Sequence, residues 1–329
     1  MKISVVTPLY RSEPYLEELL ARCTSAIRAA GAQSWEIIFV NDASPDESLA
    51  MARRLAETDS HLTVIDLSRN VGQHNATLAG LAHASGDLIF VMDSDLEDQP
   101  EWLTSFHEAM IARDCDVVFG VMANPKGNAA YGAGRWLFYR LLRLFSNVDV
   151  PENVCSARLM TRRYVDALLR FQEREVFMAG IWHMVGFTQM PVSVEKRQSS
   201  PTTYGLMRLV GIFINAITAF SIRPLQIIGL SGLFLFAVAV IYTLAIVFRA
   251  LTSGIAVEGW ASVMSATLLI GGVSMLFNGI TAIYIGKIFI EVKQRPRAIV
   301  RDIFRSGGAG HASPEPNERT SSAADPTIS

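Results

Sequence analysis

The densest chemistry in the sequence is a short acidic run, Asp93-Ser-Asp95-Leu-Glu97-Asp98, directly after the apolar stretch Asp87-Leu-Ile-Phe-Val-Met92. Four carboxylates in so short a span repel one another, which predicts a cation that neutralises them. Hard oxygen donors suit Mg2+ or Mn2+. An ion held by few carboxylates keeps coordination positions for phosphate oxygens. The histidines are scattered and the three cysteines (Cys23, Cys115, Cys155) lack CxxC spacing, so neither a zinc site nor a disulfide framework is expected. Other polar residues also follow apolar runs: Pro8-Leu-Tyr10 with Glu13, Asn41-Asp42-Ala-Ser44-Pro-Asp46, and Ser68-Arg69-Asn70-Val-Gly72. There is no GxGxxG after the first run, no GxxxxGK[ST] and no GxSxG. These absences argue against a dinucleotide oxidoreductase, a P-loop NTPase and a serine hydrolase.

The elements that must position these residues alternate. Short apolar runs at Ile3–Thr7, Glu36–Val40, Leu62–Asp66, Asp87–Met92 and Asp116–Gly120 read as strands. Between them lie helical stretches: one capped by Ser12 with Leu16, Leu19, Leu20, Cys23 and Ile27 on one face, then about 47–56, 76–84 and 101–112. This rhythm predicts an α/β fold with a parallel sheet and helices on both faces. Ligands of such sheets bind beyond the carboxyl ends of the strands, where the polar runs fall.

Half of the 329 residues are hydrophobic and only 18% are charged, with a mean hydropathy of +0.28. Soluble domains usually carry about 25% charged residues. Leu225–Phe248 and Val263–Gly286 hold the excess, each 24 residues without a charge. As helices they reach roughly 36 Å, enough to cross a bilayer core of about 30 Å. Arg208 and Arg223 precede the pair, and Lys287, Lys293, Arg295, Arg297 and Arg301 follow it. The positive-inside rule therefore expects a hairpin with both flanks cytoplasmic, although Arg249 at the outer end runs against it. A net charge of -2 gives no general field for nucleic acid. Arg135–Phe145, with Arg140 and Arg143, reads as a basic amphipathic helix for a membrane surface or anionic ligand. Residues 204–220 read as interfacial and 306–329 as a disordered tail. Small-residue spacing in the spans (Gly229 with Gly232; Gly271, Gly272) allows helix contacts and a homo-oligomer.

The ordered series PLYRSEPYL, FVNDASPD, LSRNVGQHNATLAGL and VMDSDLEDQPEWL resembles the successive motifs of family-2 glycosyltransferases with the GT-A fold. Within that family the chain is similar to polyprenyl-phosphate sugar transferases: dolichol-phosphate mannose synthase and bactoprenol glucosyltransferases. The likeness continues through FYRLL, RLMTRRYVDAL, FMAGIWHMVGF and ITAFSIRPLQ, over roughly residues 3 to 290. It implies a GT-A domain over 1–203, a juxtamembrane amphipathic segment at 204–223, transmembrane helices at 224–250 and 262–289 joined by an external loop at 251–261, and a cytosolic basic flank and tail at 290–329. It also implies an inner (plasma) membrane location.

The resemblance implies roles by position. Pro8, Tyr10, Glu13, Asp42, Ser44, Asn70, Gly72, Asp93 and Ser94 would bind the nucleotide-diphosphate sugar, with Asp42 on the base. Asp93, Asp95 and Glu97 would face the metal, Mg2+ or Mn2+. Arg135 and Arg158 match arginines near the donor and acceptor phosphates, and Arg140, Lys196 and Arg197 are further contacts for a polyprenyl phosphate. Such a transfer passes through an oxocarbenium-like state while charge grows on the leaving diphosphate, where a cation and arginines stabilise it. A lipid phosphate is already anionic, so it needs no general base, and one in-line displacement inverts the anomeric carbon. The chain departs from the family at Glu97 (often Gln), at Cys155-Ser156-Ala157 (commonly an Asp before the Phe-Arg-Leu) and at Thr202-Thr203-Tyr204 (often Ser-Lys-Tyr). These departures bear on the sugar and the acceptor. The alternatives are a transferase of the same fold acting on a glycan hydroxyl, with Asp98, Asp149 or Glu152 as base, and a non-enzymatic scaffold.

Overall fold

The computed structural model describes residues 1–122, 154–173, 178–196, 223–253, 259–306 and 308–310. The first half follows the expected rhythm: β1 (Lys2–Leu9), α1 (Leu16–Ala29), β2 (Ser34–Asn41), α2 (Ser48–Thr58), β3 (Leu62–Leu67), α3 (Gln73–His83), β4 (Leu88–Val91), α4 (Trp102–Arg113) and β5 (Val117–Met122). Then come β6 (Val154–Thr161), α5 (Arg162–Leu168), α6 (Met178–Met184) and β7 (Gln189–Val194). Two long helices follow, α7 (Arg223–Ser253) and α8 (Trp260–Val292), and the described chain ends in β8 (Val300–Arg305) and β9 (Gly308–Gly310).

The strands form one sheet in the order β7-β5-β6-β4-β1-β2-β3-β8-β9. β1 pairs parallel with β2 and β4, and β2 with β3, so the mostly parallel α/β class expected from the sequence is the one observed. Two additions were not legible there. β6 inserts antiparallel between β4 and β5. β8 returns from the last helix to pair antiparallel with β3, Val300 standing opposite Leu67. Residues 308–310 pair with β8, so the segment read as a disordered tail from 306 onward contains a strand.

The apolar runs of β1 to β4 are buried on both faces, as continuous rather than alternating hydrophobicity requires. On one face Ile3, Val5, Phe39 and Phe90 pack against Leu16, Leu19, Ile27 and Phe106 of α1 and α4. On the other, Val6, Val40 and Ile65 meet Ala76 and Leu81 of α3, and Tyr164 and Leu168 of α5. β8 feeds both layers, Phe304 into the first and Ile303 into the second. Gly80 sets how close α3 lies to the sheet. A Cβ there would stand 2.5 Å from Val6 Cγ1 and 2.8 Å from Val40 Cγ2, distances at which something must move.

Helices α7 and α8 have 31 and 33 residues and overrun the expected spans 224–250 and 262–289. Both are long and apolar enough to cross a membrane. Leu230, Phe234, Ile241 and Phe248 are exposed along α7, and Met275 and Leu276 along α8. That surface distinguishes the pair from the core helices of a soluble domain. The expected basic helix at 135–145 and interfacial segment at 204–220 lie outside the described residues.

Candidate active site

The carboxyl ends of β1, β2 and β4 and the start of α3 enclose a cleft of about 460 Å³. β1 contributes Pro8, Leu9 and Tyr10, β2 contributes Asp42, the β3–α3 connection Asn70 and Gly72, α3 Gln73, and the loop after β4 Asp93, Ser94 and Asp95. Eight of the residues anticipated from the sequence therefore line one opening. Three non-glycine residues around it, Arg11, Ala43 and Leu96, have φ of 56°, 47° and 59°. Left-handed backbone at a side-chain-bearing residue costs free energy and collects at functional sites. Each of these residues follows a strand end and turns the chain sharply, and at Leu96 the side chain is buried behind the acidic loop.

Asp42 is buried and holds the cleft's floor together. Its Oδ1 accepts the Val71 N–H at 2.7 Å, its Oδ2 the Gly72 N–H at 2.9 Å, and its carbonyl the Asn70 Nδ2–H at 3.1 Å. Gly72 itself has φ of 86°, a conformation that favours glycine, so the loop presents these N–H groups without steric cost. Burial raises the Asp42 carboxyl, against the pull of those two N–H groups and of Arg69. Each oxygen still has a lone pair for a second donor.

Glu13 and Ser44 stand outside the cleft wall and brace it. Ser44 Oγ accepts the Arg11 N–H at 2.7 Å and donates to Asp46 Oδ1 at 2.5 Å. Asp46 Oδ2 accepts the Glu13 N–H at 3.3 Å. Ser12, expected as a helix cap, makes no capping bond. Its hydroxyl instead meets Ser94 Oγ at 2.7 Å, tying the β1 turn to the acidic loop. The short 3-10 turn Glu13–Tyr15 intervenes before α1, so Ser12 is too far from the α-helical N–H groups to cap them.

The acidic loop is charge-loaded. Burial, then the nearby Asp98 charge, push the half-buried Asp93 carboxyl up to about 7; Asp95 adds to the rise, while Ser156 and Lys196 oppose it. Gln73 Nε2 donates to Asp93 Oδ1. Asp95 is exposed and its Oδ1 accepts the Glu97 N–H at 3.0 Å, which leaves its other oxygen facing solvent. Hard oxygens with uncompensated charge at a cleft mouth fit a divalent ion. Among the described residues, however, no three His, Cys, Asp or Glu side chains gather as a ready-made metal site. The fit is that of an open site completed by a ligand's oxygens.

Glu97 does not line the cleft. It points to Lys196, 3.8 Å from Nζ. Lys196 also lies 2.9 Å from Oδ1 of the fully buried Asp98. Asp98 Oδ2 accepts the Ala157 N–H at 3.1 Å. Lys196 is thus engaged by carboxylates. Burial disfavours its charge, but Asp98 outweighs that and raises the ammonium above its usual range.

Arg158 is 2% exposed on β6 and faces the layer beneath α3. Its guanidinium stacks on Trp182, 2.9 Å from the ring centroid, and its Nε has no hydrogen-bond partner. Among the described residues it has no carboxylate partner. Burial lowers its pKa to about 9, and burial together with Arg158 lowers the neighbouring His74. Arg135, Arg140 and Arg197 lie outside the described residues. Sequence reading did not identify Gln73, Trp182 or the Lys196–Asp98 pair. Only the position of Gln73 beside Gly72 at a strand end offered a signal.

Residues 4–169 match the family model for glycosyl transferase family 2. A protein of Mycobacterium tuberculosis, whose name places it among glycosyltransferases without a substrate, is 42% identical over 93% of this chain and 89% of its own. The undecaprenyl-phosphate 4-deoxy-4-formamido-L-arabinose transferase of Salmonella paratyphi B is 31% identical over 92% of this chain and 94% of its own. Among solved structures, a mannosyltransferase from Pyrobaculum calidifontis in complex with GDP-Man and Mn2+ has a TM-score of 0.46 at 18% identity, covering 89% of this chain and 86% of that one. The extent of the family match and the near full-length relatives establish that this chain belongs to glycosyl transferase family 2.

Proposed function

We propose that the chain is a membrane-bound, metal-dependent, inverting glycosyltransferase that moves a sugar from a nucleotide-diphosphate sugar to a polyprenyl phosphate, undecaprenyl or dolichyl. The reaction takes place at the cytoplasmic face of the plasma membrane and serves cell-surface glycan or lipopolysaccharide synthesis or modification. One observation carries the reading. The acidic cleft opens at the carboxyl edge of the sheet, and the chain re-enters the sheet from α8 at that same edge, Val300 opposite Leu67. An enzyme whose acceptor is dissolved in the bilayer needs its mouth at the edge its spans leave from. The 31% relative named for an undecaprenyl-phosphate substrate supports the acceptor class. β8 also supports the hairpin topology. It pairs within the catalytic sheet, so an even number of crossings must separate it from the domain.

The residues divide the work. Tyr10, Asp42 and the Asn70–Gly72 loop receive the nucleotide, and Asp93 and Asp95 would hold Mg2+ or Mn2+ beside its diphosphate. When bound there, the ion offsets the charge that grows on the departing diphosphate. Arg158, a buried cation stacked on an aromatic ring, favours an anion close by. A phosphate acceptor needs no base, whereas a hydroxyl acceptor does. Asp98, the described carboxylate considered for that task, is paired with Lys196 and the Ala157 N–H, which favours phosphate.

The test is transfer by purified protein in lipid nanodiscs with labelled UDP-, GDP- and dTDP-sugars and undecaprenyl phosphate. An acid-labile phosphodiester product is expected, lost on chelation and in Asp95→Ala. Product formed only on a glycan hydroxyl would replace this reading with the alternative. Unchanged transfer in Asp95→Ala would refute the metal-assisted mechanism.

A further inference from the structure

We infer that Lys196 is a built-in counter-ion of the acidic loop that keeps a free divalent cation out of the donor-empty site, so that the metal enters only with the nucleotide diphosphate. The inference rests on the metal-assisted reading of the cleft and concerns the order in which its ligands arrive. Three observations carry it. The Lys196 ammonium sits among the loop's carboxylates, 2.9 Å from Asp98 Oδ1 and 3.8 Å from Glu97 Oε2. Asp98 is fully buried and its other oxygen is taken by the Ala157 N–H, so the ammonium is the charge partner of its Oδ1. The carboxylates themselves form no three-ligand site among the described residues. A cation arriving alone therefore meets an incomplete ligand set beside a resident positive charge. One arriving with a diphosphate brings both the missing oxygens and the negative charge that offsets the ammonium.

The position of Lys196 gives the arrangement a second edge. It lies two residues beyond Val194, the end of β7. The neighbouring Glu195 carbonyl accepts Gln99 Nε2–H at 3.2 Å. The acidic loop and the residue after it are therefore fastened at two points to the end of β7. Lys196 acts on the metal through charge and through the loop. It is a positioning residue and not a catalytic one.

The size of the effect follows from electrostatics. For any dication and ammonium held at a separation of about 6 Å, Coulomb repulsion weakens binding by roughly tenfold even with the dielectric of water between them. The experiment is Mn2+ binding to the full chain in detergent, read by electron paramagnetic resonance of the free ion, without any nucleotide. Lys196→Met should bind Mn2+ about tenfold more tightly than the unmodified chain, and Lys196→Arg should match the unmodified chain. Equal or weaker binding by Lys196→Met would overturn the inference, since a purely structural role loosens the loop and weakens the site. Should Lys196→Met not fold, the unmodified chain alone decides. Its Mn2+ affinity must rise at least tenfold when UDP, GDP or dTDP is added, and equal affinity with and without every one of them overturns the proposal. The absence of Mn2+ binding under all conditions would instead overturn the metal-assisted function itself, which keeps the two failures apart.

Discussion

Replacing Asp93 with asparagine should remove transfer and yet stabilise the ligand-free protein at alkaline pH. The Asp93 carboxyl moves from an ordinary 3.8 to about 7, first through burial and then through Asp98. Its folded value lies above the unfolded one. The bound proton therefore stabilises the fold fully below about pH 4, and that contribution is lost as pH rises through about 7. The ionised carboxylate costs at most about 4 kcal/mol, and about 2 kcal/mol once the loop relaxes and water screens it. Asparagine keeps an oxygen to accept from Gln73 Nε2 and drops the charge. In chelator-containing buffer at pH 8, Asp93→Asn should melt about 4–8 °C above the unmodified protein. At pH 3.5, below the unfolded value, the carboxyl is mostly protonated in both states and the two should melt within about 2 °C of each other. Intrinsic tryptophan fluorescence on heating reads both. A variant that melts lower at pH 8, or gains equally at both pH values, refutes the account of an overcharged cleft.

Other substitutions probe what holds the cleft. Gly80→Ala drives a methyl into Val6 and Val40, so it should cost about 1–3 kcal/mol, and by shifting α3 with Gln73 it should raise the donor KM. Asp42→Asn turns one of two acceptors into a donor facing a backbone N–H, which should cost about 2 kcal/mol and weaken nucleotide binding measured by calorimetry. Arg301→Ala removes the 3.2 Å ion pair to the buried Asp66, which Asn41 Nδ2 still meets at 2.7 Å. The expected loss is about 1 kcal/mol, seen as earlier melting with unchanged kcat.

What the sequence made legible was local. Continuous apolar runs marked β1 to β4, and the polar residues after them fell at one edge because a parallel sheet brings its carboxyl ends together. Most of the donor cleft could be named on that basis. The parts that were hidden depend on partners far apart in the chain. Nothing in Val154–Thr161 says that it will lie antiparallel between β4 and β5, or in Val300–Arg305 that it will join β3 across more than two hundred intervening residues. Lys196 was expected as an acceptor-phosphate contact, and its pairing with Asp98 was hidden because it needs β7 to lie beside the loop. Arg158 matched a family arginine near the phosphates, but its burial against Trp182 needs β6 to be placed first. Ser12 fits a capping pattern locally, yet its hydroxyl is taken by Ser94.

For a membrane-bound chain as proposed, the return as β8 would fix the working height of the sheet. Between the end of α8 at Val292 and the first residue of β8 at Val300 lie seven residues, a leash of about 25 Å at full stretch. In the proposed state with α7 and α8 embedded, that leash would hold the sheet close to the bilayer. A lipid acceptor of the proposed kind would then reach the cleft by lateral diffusion, which makes its search two-dimensional.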